Sequence, residues 1–234
     1  MVRQIKSRQR VAAHGEVFTG DREVTAMLDL VKPETERVDS RFLEPACGDG
    51  NFMAAILERK LAAARILSVS PRTKKSPDPL EFEKNSLLSV ASIYGVDLLL
   101  DNVIAARDRL YRIWEREYES VLENEADDAC RDTVRFILSR NVVCGNALTL
   151  MCVDENQKDT GEPLVFSEWS LPFNDTRVQR KDYSFAELLA AASGESDFRR
   201  TGQTDIFAGL DGQCEPVLLR QYVFDYRKKN SYVR

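Results

Sequence analysis

The stretch that most constrains this chain is Glu44-Pro45-Ala46-Cys47-Gly48-Asp49-Gly50. It follows a short apolar run, Arg41-Phe42-Leu43-Glu44, that reads as a buried strand. It precedes a helical period marked by Phe52, Ala55, Ile56 and Leu57. A strand that turns into a helix through two glycines lets the backbone approach a ligand closely. The first turn of the helix then offers its free N–H groups to that ligand.

Two further strand ends belong with it. Ile93-Tyr94-Gly95-Val96-Asp97 reads as a strand ending on a carboxylate, and Asn141 to Leu148 as a strand and its turn, with Asn146 in the turn. Ligands of open α/β sheets bind outside the carboxyl ends of the strands. There Asp97 can accept from vicinal ribose hydroxyls, and the Asn146 amide can accept from an adenine amine. The three turns together imply an adenosine-containing cofactor, and spacing leaves open which one.

Strands alternating with helices predict an α/β fold, a mostly parallel central sheet with helices on both faces. Residues 1–40 read as a basic segment, with Arg3, Lys6, Arg8 and Arg10, followed by a cofactor-contacting helix. That helix has Val24, Met27, Leu28 and Val31 on one face, Thr19 or Asp21 as its cap, and Pro33 as its stop. Residues 41–234 read as the core of a single domain, carrying an inserted loop at 68–86 and a basic tail. Leu87–Ser92 reads as a short helix, and Asp101 or Asn102 as the cap of a long one. Residues 115–132, with eight acids and two bases, read as a solvated segment. Thr133–Arg140 reads as a helix, Pro163–Ser167 as a buried strand, Ser184-Phe185-Ala186-Glu187 as a capping box and the aromatics Tyr222, Phe224 and Tyr226 as a terminal strand.

Composition removes several function classes. At 43% hydrophobic and 30% charged, 234 residues suffice for a core without staples. The single histidine, His14, argues against a histidine metal centre. Five cysteines, with no C-x-x-C pair, give neither a disulfide framework nor a zinc knuckle, and Cys47 reads as a packing residue. No apolar run approaches the ~20 residues of a membrane span, and the basic N-terminus lacks the apolar stretch of a signal peptide. A cytoplasmic, reduced protein is expected, with no metal and no membrane partner.

HGEVFTG, FLEPACGDGNF, IYGVDLLLDNVIAARDRL and NVVCGNAL, in that order over residues 10–150, resemble four successive S-adenosylmethionine motifs of the DNA adenine-N6 methyltransferases, modification subunits of restriction systems above all. The resemblance implies a Rossmann-like class I methyltransferase fold with S-adenosylmethionine as cofactor. It implies that Phe18 and Thr19 lie near the methionine end. Glu44, Pro45, Ala46, Cys47, Gly48, Gly50 and Phe52 would form the cradle, Asp97 and Leu98 the ribose contact, and Asn146 and Ala147 the adenine contact.

Two departures from the family are mild: Gly20 stands where proline is usual, and Asn146 where aspartate is commoner. A third is larger. The family's Asn/Asp-Pro-Pro-Tyr/Phe turn, which binds the target amino group, is represented after PLVFSEW by Ser170-Leu171-Pro172-Phe173. Ser170, Pro172 and Phe173 are therefore the catalytic candidates. Methyl transfer to DNA adenine is the function implied. The alternatives are a catalytically impaired cofactor-binding subunit acting with a separate recognition or catalytic partner, or a methyltransferase of RNA or a small molecule. About 60 residues follow Phe173, too few for a recognition domain. DNA would meet Arg3, Lys6, Arg8, Arg10, Arg177, Arg180, Lys181, Arg227, Lys228 and Lys229, which position a duplex without reading its sequence.

Overall fold

The computed structural model describes residues 10, 19–69, 76–173, 175–193, 216–229 and 232. Three parallel strands form its centre: β1 (Phe42–Glu44), β2 (Ile93–Asp97) and β3 (Val142–Cys144), in the order β1-β2-β3. Glu44 pairs with Gly95 and Asp97 with Cys144, so the three strands end at one edge of the sheet.

The helices follow the apolar periods. α1 (Asp21–Asp29) buries Val24 and Leu28, and its cap is Gly20 rather than Thr19 or Asp21. α2 (Lys32–Thr35) is a single turn with Pro33 in its first positions, so the proline starts a new turn after the first helix has ended. α3 (Asn51–Leu67) follows the glycine turn and packs on α4 (Pro79–Ala91) and α5 (Leu100–Leu122).

Two expectations are corrected here. The loop expected at 68–86 gives way to helix from Pro79 onward: Asp78 caps it by accepting from the Glu81 N–H at 3.0 Å, and Phe82 and Ser86 are buried. Proline at the first helical position starts a helix because its missing N–H would have had no partner there. Leu87–Ser92 is the last part of this helix. The acidic segment 115–132 is also largely helical. α5 runs on to Leu122, a 3₁₀ turn covers Glu123–Glu125, and α6 (Asp128–Asn141) begins behind the Asp127 cap. Tyr118 and Leu122 are buried, which places the acids of this stretch on the outer face. The cap of α5 is Leu99, not Asp101 or Asn102.

The second half of the chain departs from a mostly parallel sheet. After β3 comes a hairpin, β4 (Met151–Val153) and β5 (Asp159–Pro163), and then an antiparallel sheet of β6 (Val165–Ser170), β7 (Arg177–Ser184) and β8 (Arg220–Asp225). Among the described residues, β2 is the only strand paired with β1. A parallel neighbour would require a crossover of a dozen or more residues, usually a helix, to carry the chain back across the sheet. The hairpin supplies none, so β6 starts beside the carboxyl end of β3 and runs back past the parallel strands. At its start, Leu164 lies so close to Gly145 that a Cβ there would sit 2.5 Å from Leu164 Cδ2. At its other end, Trp169 donates to Asn141 Oδ1 at 2.9 Å and Glu168 pairs with Arg41, both at the amino ends of the parallel strands.

One apolar core joins α1, α3–α6 and the parallel strands to Trp169, Val178, Phe224 and Tyr226 of the antiparallel sheet. A smaller cluster, Tyr94, Val96, Leu164, Phe166 and Phe185, fills the space between the two sheets. α7 (Phe185–Ser193) follows β7, and the Ser184 hydroxyl accepts from the Glu187 N–H at 3.3 Å as a capping serine does.

Candidate functional site

The site is built where β1 and β2 end. Gly48 and Gly50 adopt positive φ, 53° and 87°, which the chain needs in order to turn from β1 into α3. A side chain at Gly50 would also press on Ala106 of α5, 3.0 Å away. The Cys47 N–H donates to the Val96 carbonyl at 2.9 Å, stitching the turn to β2. The Gly48 N–H donates to Asp97 Oδ2 at 2.8 Å, and Asp97 Oδ1 accepts from the Leu99 N–H at 2.8 Å and from Asn102 Nδ2 at 3.2 Å. A carboxylate offers about four acceptor positions, so three of them organise the protein itself.

Glu44 ends β1 half-buried. Its carboxyl is raised above the usual glutamate range by burial, against a weak bond from the Ala46 N–H at 3.4 Å. Cys47 is buried, and its thiol is pushed far up by burial and then by the charges of Asp97, Glu44 and Asp49. It is a packing residue with no thiolate to offer as a nucleophile. The turn carries two carboxylates, Glu44 and Asp49, and is hydrogen-bonded to a third, Asp97. Asp49 is held by Arg109 at 2.8 Å, and Asp101, farther along, by Arg10 at 2.6 Å.

Thr19 and Phe52 both lie at the start of α3. The Thr19 carbonyl accepts from Asn51 Nδ2 at 2.8 Å, which ties the segment before α1 to the start of α3. Phe52 and Glu44 line a pocket of about 200 Å³ together with Met27 and Leu43. Phe18 lies outside the described residues, as do Arg3, Lys6, Arg8 and His14. Pro45 and Ala46 are exposed on the turn, and Leu98 is half-buried, its carbonyl accepting from the Cys144 thiol.

Asn146 and Ala147 sit at the end of β3, on the same edge of the sheet. The Asn146 side-chain oxygen accepts from the Leu148 N–H at 3.0 Å and the Thr149 N–H at 3.4 Å, and its amide donates to Asp159 at 3.4 Å. In this conformation the residue shapes its own turn. Ala147 packs against the smaller apolar cluster.

The three catalytic candidates are not brought to this site. Ser170, Pro172 and Phe173 follow the far end of β6, at the amino ends of the parallel strands, while Glu44, Asp97 and Asn146 lie at the carboxyl ends. Ser170 pairs with Gln179 in the antiparallel sheet, and Phe173 lies under the Arg177 guanidinium, 4.2 Å from its ring centre. Trp169, just before them, is buried in the core.

The basic residues are also redistributed. Arg180, expected on a nucleic-acid surface, is only 7% exposed and bound to buried Asp182 at 2.6 Å, so it is withdrawn from any phosphate. Arg177 pairs with Asp175, Arg227 with buried Glu83 and Lys228 with Asp225. Lys229 is exposed, and Lys181 lines a cleft of about 640 Å³ between β1 and the antiparallel sheet. That cleft is roomier than the pocket beside Glu44, yet none of its lining residues belongs to the turn, to Asp97 or to Asn146. The converging polar groups and left-handed glycines mark the turn as the stronger candidate.

Asp49 and Arg109 are contributors with no counterpart in the sequence reading, while Asn102, expected as a cap, donates to Asp97, and Arg10, expected on DNA, pairs with Asp101. Arg109 stands one helical turn after Ala106, the residue packed under Gly50, so the spacing offered a signal for it once α5 was placed against the turn. No helix among the described residues is long and apolar enough to cross a membrane, and no cluster of three His, Cys, Asp or Glu side chains there can hold a metal ion. No protein-family model matches the chain, and neither the curated proteins nor the solved structures contain a match.

Proposed function

We propose that this protein binds S-adenosylmethionine at the carboxyl ends of β1, β2 and β3, and acts as a cofactor-binding subunit related to the DNA adenine-N6 methyltransferases. The observation that carries the reading is the joining of the glycine turn to Asp97, whose Oδ2 accepts from the Gly48 N–H at 2.8 Å, with Glu44 and Asp49 on the same turn. A pyrophosphate-bearing dinucleotide would bring its negative charges into this acidic turn, where like charges repel. S-adenosylmethionine instead carries a sulfonium and an ammonium, and its ribose and adenine suit the neighbouring strand ends. The ordered motifs quoted above support the same ligand. Glu44 faces the pocket shared with Phe52 and Met27, which suits the methionine end, and Asp97 suits the ribose.

The position of Ser170–Phe173 favours a binding subunit over a self-sufficient enzyme, because an acceptor base held there would be separated from the cofactor by the sheet. Under the second reading, methyl transfer to DNA adenine, which the motif order favours, S-adenosylmethionine held by Glu44, Asp97 and Asn146 would supply the methyl group. The acceptor would then be held by groups other than Ser170, Pro172 and Phe173, and the turn would supply orientation. Titration calorimetry with S-adenosylmethionine and, separately, NAD tests the ligand; binding of the first alone is expected, and binding of NAD alone overturns the reading. A labelled-methyl assay against unmodified DNA, total RNA and cell extract separates the two roles. Binding without transfer is expected of the subunit, and transfer that survives Ser170→Ala identifies an enzyme with its acceptor groups elsewhere.

A further inference from the structure

The cleft of about 640 Å³ between β1 and the antiparallel sheet has the size of a small-molecule pocket. Alternation along β6 and β7 builds one side of it. Phe166 and Glu168 share a face with their cross-strand partners Tyr183 and Lys181, and all four line the cleft. Buried rings close its floor: Phe166 packs edge-on against Tyr94 and Phe185, with ring centres 5.4 and 5.1 Å apart. The Tyr94 hydroxyl is already committed, donating to the Ser167 carbonyl at 3.1 Å. The surface left open to a ligand comes from lining leucines, Leu43, Leu189 and Leu218, each 40–42% exposed. Half-open apolar side chains around one cavity are surface that a ligand can bury.

Charge in the lining is confined to Arg41, Glu168 and Lys181. Glu168 stands directly opposite Lys181 in the β6–β7 register, yet its carboxylate pairs with Arg41. No carboxylate among the described residues lies within ion-pair distance of the Lys181 ammonium. Two cations and one anion therefore leave a single positive charge beside an apolar cavity, carried by a group with three donors to offer. The complement is a molecule with an apolar body and one carboxylate. We propose that the cleft binds a small organic acid of this class, its carboxylate accepting from Lys181 Nζ and its body lying against the three leucines. The Glu44–Gly50 turn, Asp97 and Asn146 contribute nothing to this lining, so the site stands or falls separately from the S-adenosylmethionine reading.

Titration calorimetry of the full chain with octanoate, octanamide and octylamine, each below its micelle concentration, tests the site. The three share one chain and differ in the head group. Octanoate is expected to bind about fivefold or more tightly than octanamide, because a charge-assisted hydrogen bond is stronger than a neutral one, and octylamine to bind most weakly. Lys181→Met keeps an apolar stem and removes the ammonium. It should weaken octanoate about fivefold and change octanamide by less than about twofold, while Lys181→Arg should keep the preference for the acid. Circular dichroism reports that each variant is folded. Failure of octanoate to bind the unaltered protein, equal affinity for octanoate and octanamide, or a preference for the acid that survives Lys181→Met overturns the proposal.

Discussion

Asp97 accepts the Gly48 N–H at 2.8 Å, so the end of β2 and the turn after β1 are one hydrogen-bonded unit. The same carboxylate receives the Leu99 N–H and the Asn102 amide, and thereby fixes the start of α5 as well. A group that organises two elements in this way pre-forms the turn before anything binds. Hydrogen exchange should find the Gly48 and Leu99 amides protected in the unaltered protein, with that protection lost in Asp97→Ala. Unchanged protection at both amides would show that the unit is held by other contacts.

Glu44 gives the site a pH dependence of known sign. Burial raises its carboxyl above the ordinary glutamate range, so it takes up a proton earlier on acidification than an exposed glutamate does. A protonated Glu44 brings no charge to a cationic ligand. Affinity for S-adenosylmethionine should therefore fall as pH drops through this raised value, and Glu44→Gln should bind more weakly and lose that dependence. The linkage for folding has the opposite sign: a carboxyl raised in the folded state favours stability toward acid, so the same variant should unfold at a higher temperature at neutral pH. Parallel calorimetry and thermal melts check both directions.

The Arg180–Asp182 pair governs acid stability at the antiparallel sheet. Burial alone would raise the Asp182 carboxyl, but the bonds from Arg180 and Ser167 and the charges of Arg180 and Arg140 hold it below the usual aspartate range. Its contribution is then complete above the unfolded-state value and is lost as pH falls through the lowered folded value. Asp182→Asn leaves Arg180 buried without its counter-charge and should cost about 3–5 kcal/mol at pH 7. Urea unfolding at pH 7 and at pH 3 should show the difference shrinking in acid; an equal loss at both would assign the cost to packing.

Lys60 is fully buried on α3, and its ammonium donates to the carbonyls of Arg37, Val38 and Ser40, the segment that enters β1. Lys60→Met removes the donor from three carbonyls at once and should destabilise by about 2 kcal/mol or more. Burial lowers the lysine to about 8, with the nearby Asp39 opposing and Arg37 adding to the shift. The unfolded chain holds that proton to higher pH than the native one, so stability should rise with pH above about 8 until the unfolded lysine titrates. Chemical denaturation across that range, compared with Lys60→Met, isolates the lysine's share.

The parts of the fold legible in the sequence are those fixed locally. Apolar runs that end on Glu44, Asp97 and Cys144 mark three strands, and the glycines after the first mark its turn. The direction of β6 is not a local property. It follows from what lies between Cys144 and Val165, a hairpin in place of a crossover helix, and this placed Ser170–Phe173 away from the site. Arg180 differs from expectation for a related reason: alternation along β7 sends it to the same side as Val178 and Asp182, into the interior, and only the packed sheet shows which side that is. The loop expected at 68–86 contains Pro79, and a proline after Asp78 equally marks the first position of a helix.

The central claim is that Asp97 and the Glu44–Gly50 turn hold S-adenosylmethionine, and titration calorimetry on Asp97→Ala measures it directly. Methylthioadenosine, titrated in parallel, carries the ribose that Asp97 would hold and lacks the amino acid. The account predicts that the variant stays folded by circular dichroism and loses tenfold or more in affinity for both ligands. A folded Asp97→Ala protein that binds S-adenosylmethionine as tightly as the unaltered chain would contradict it.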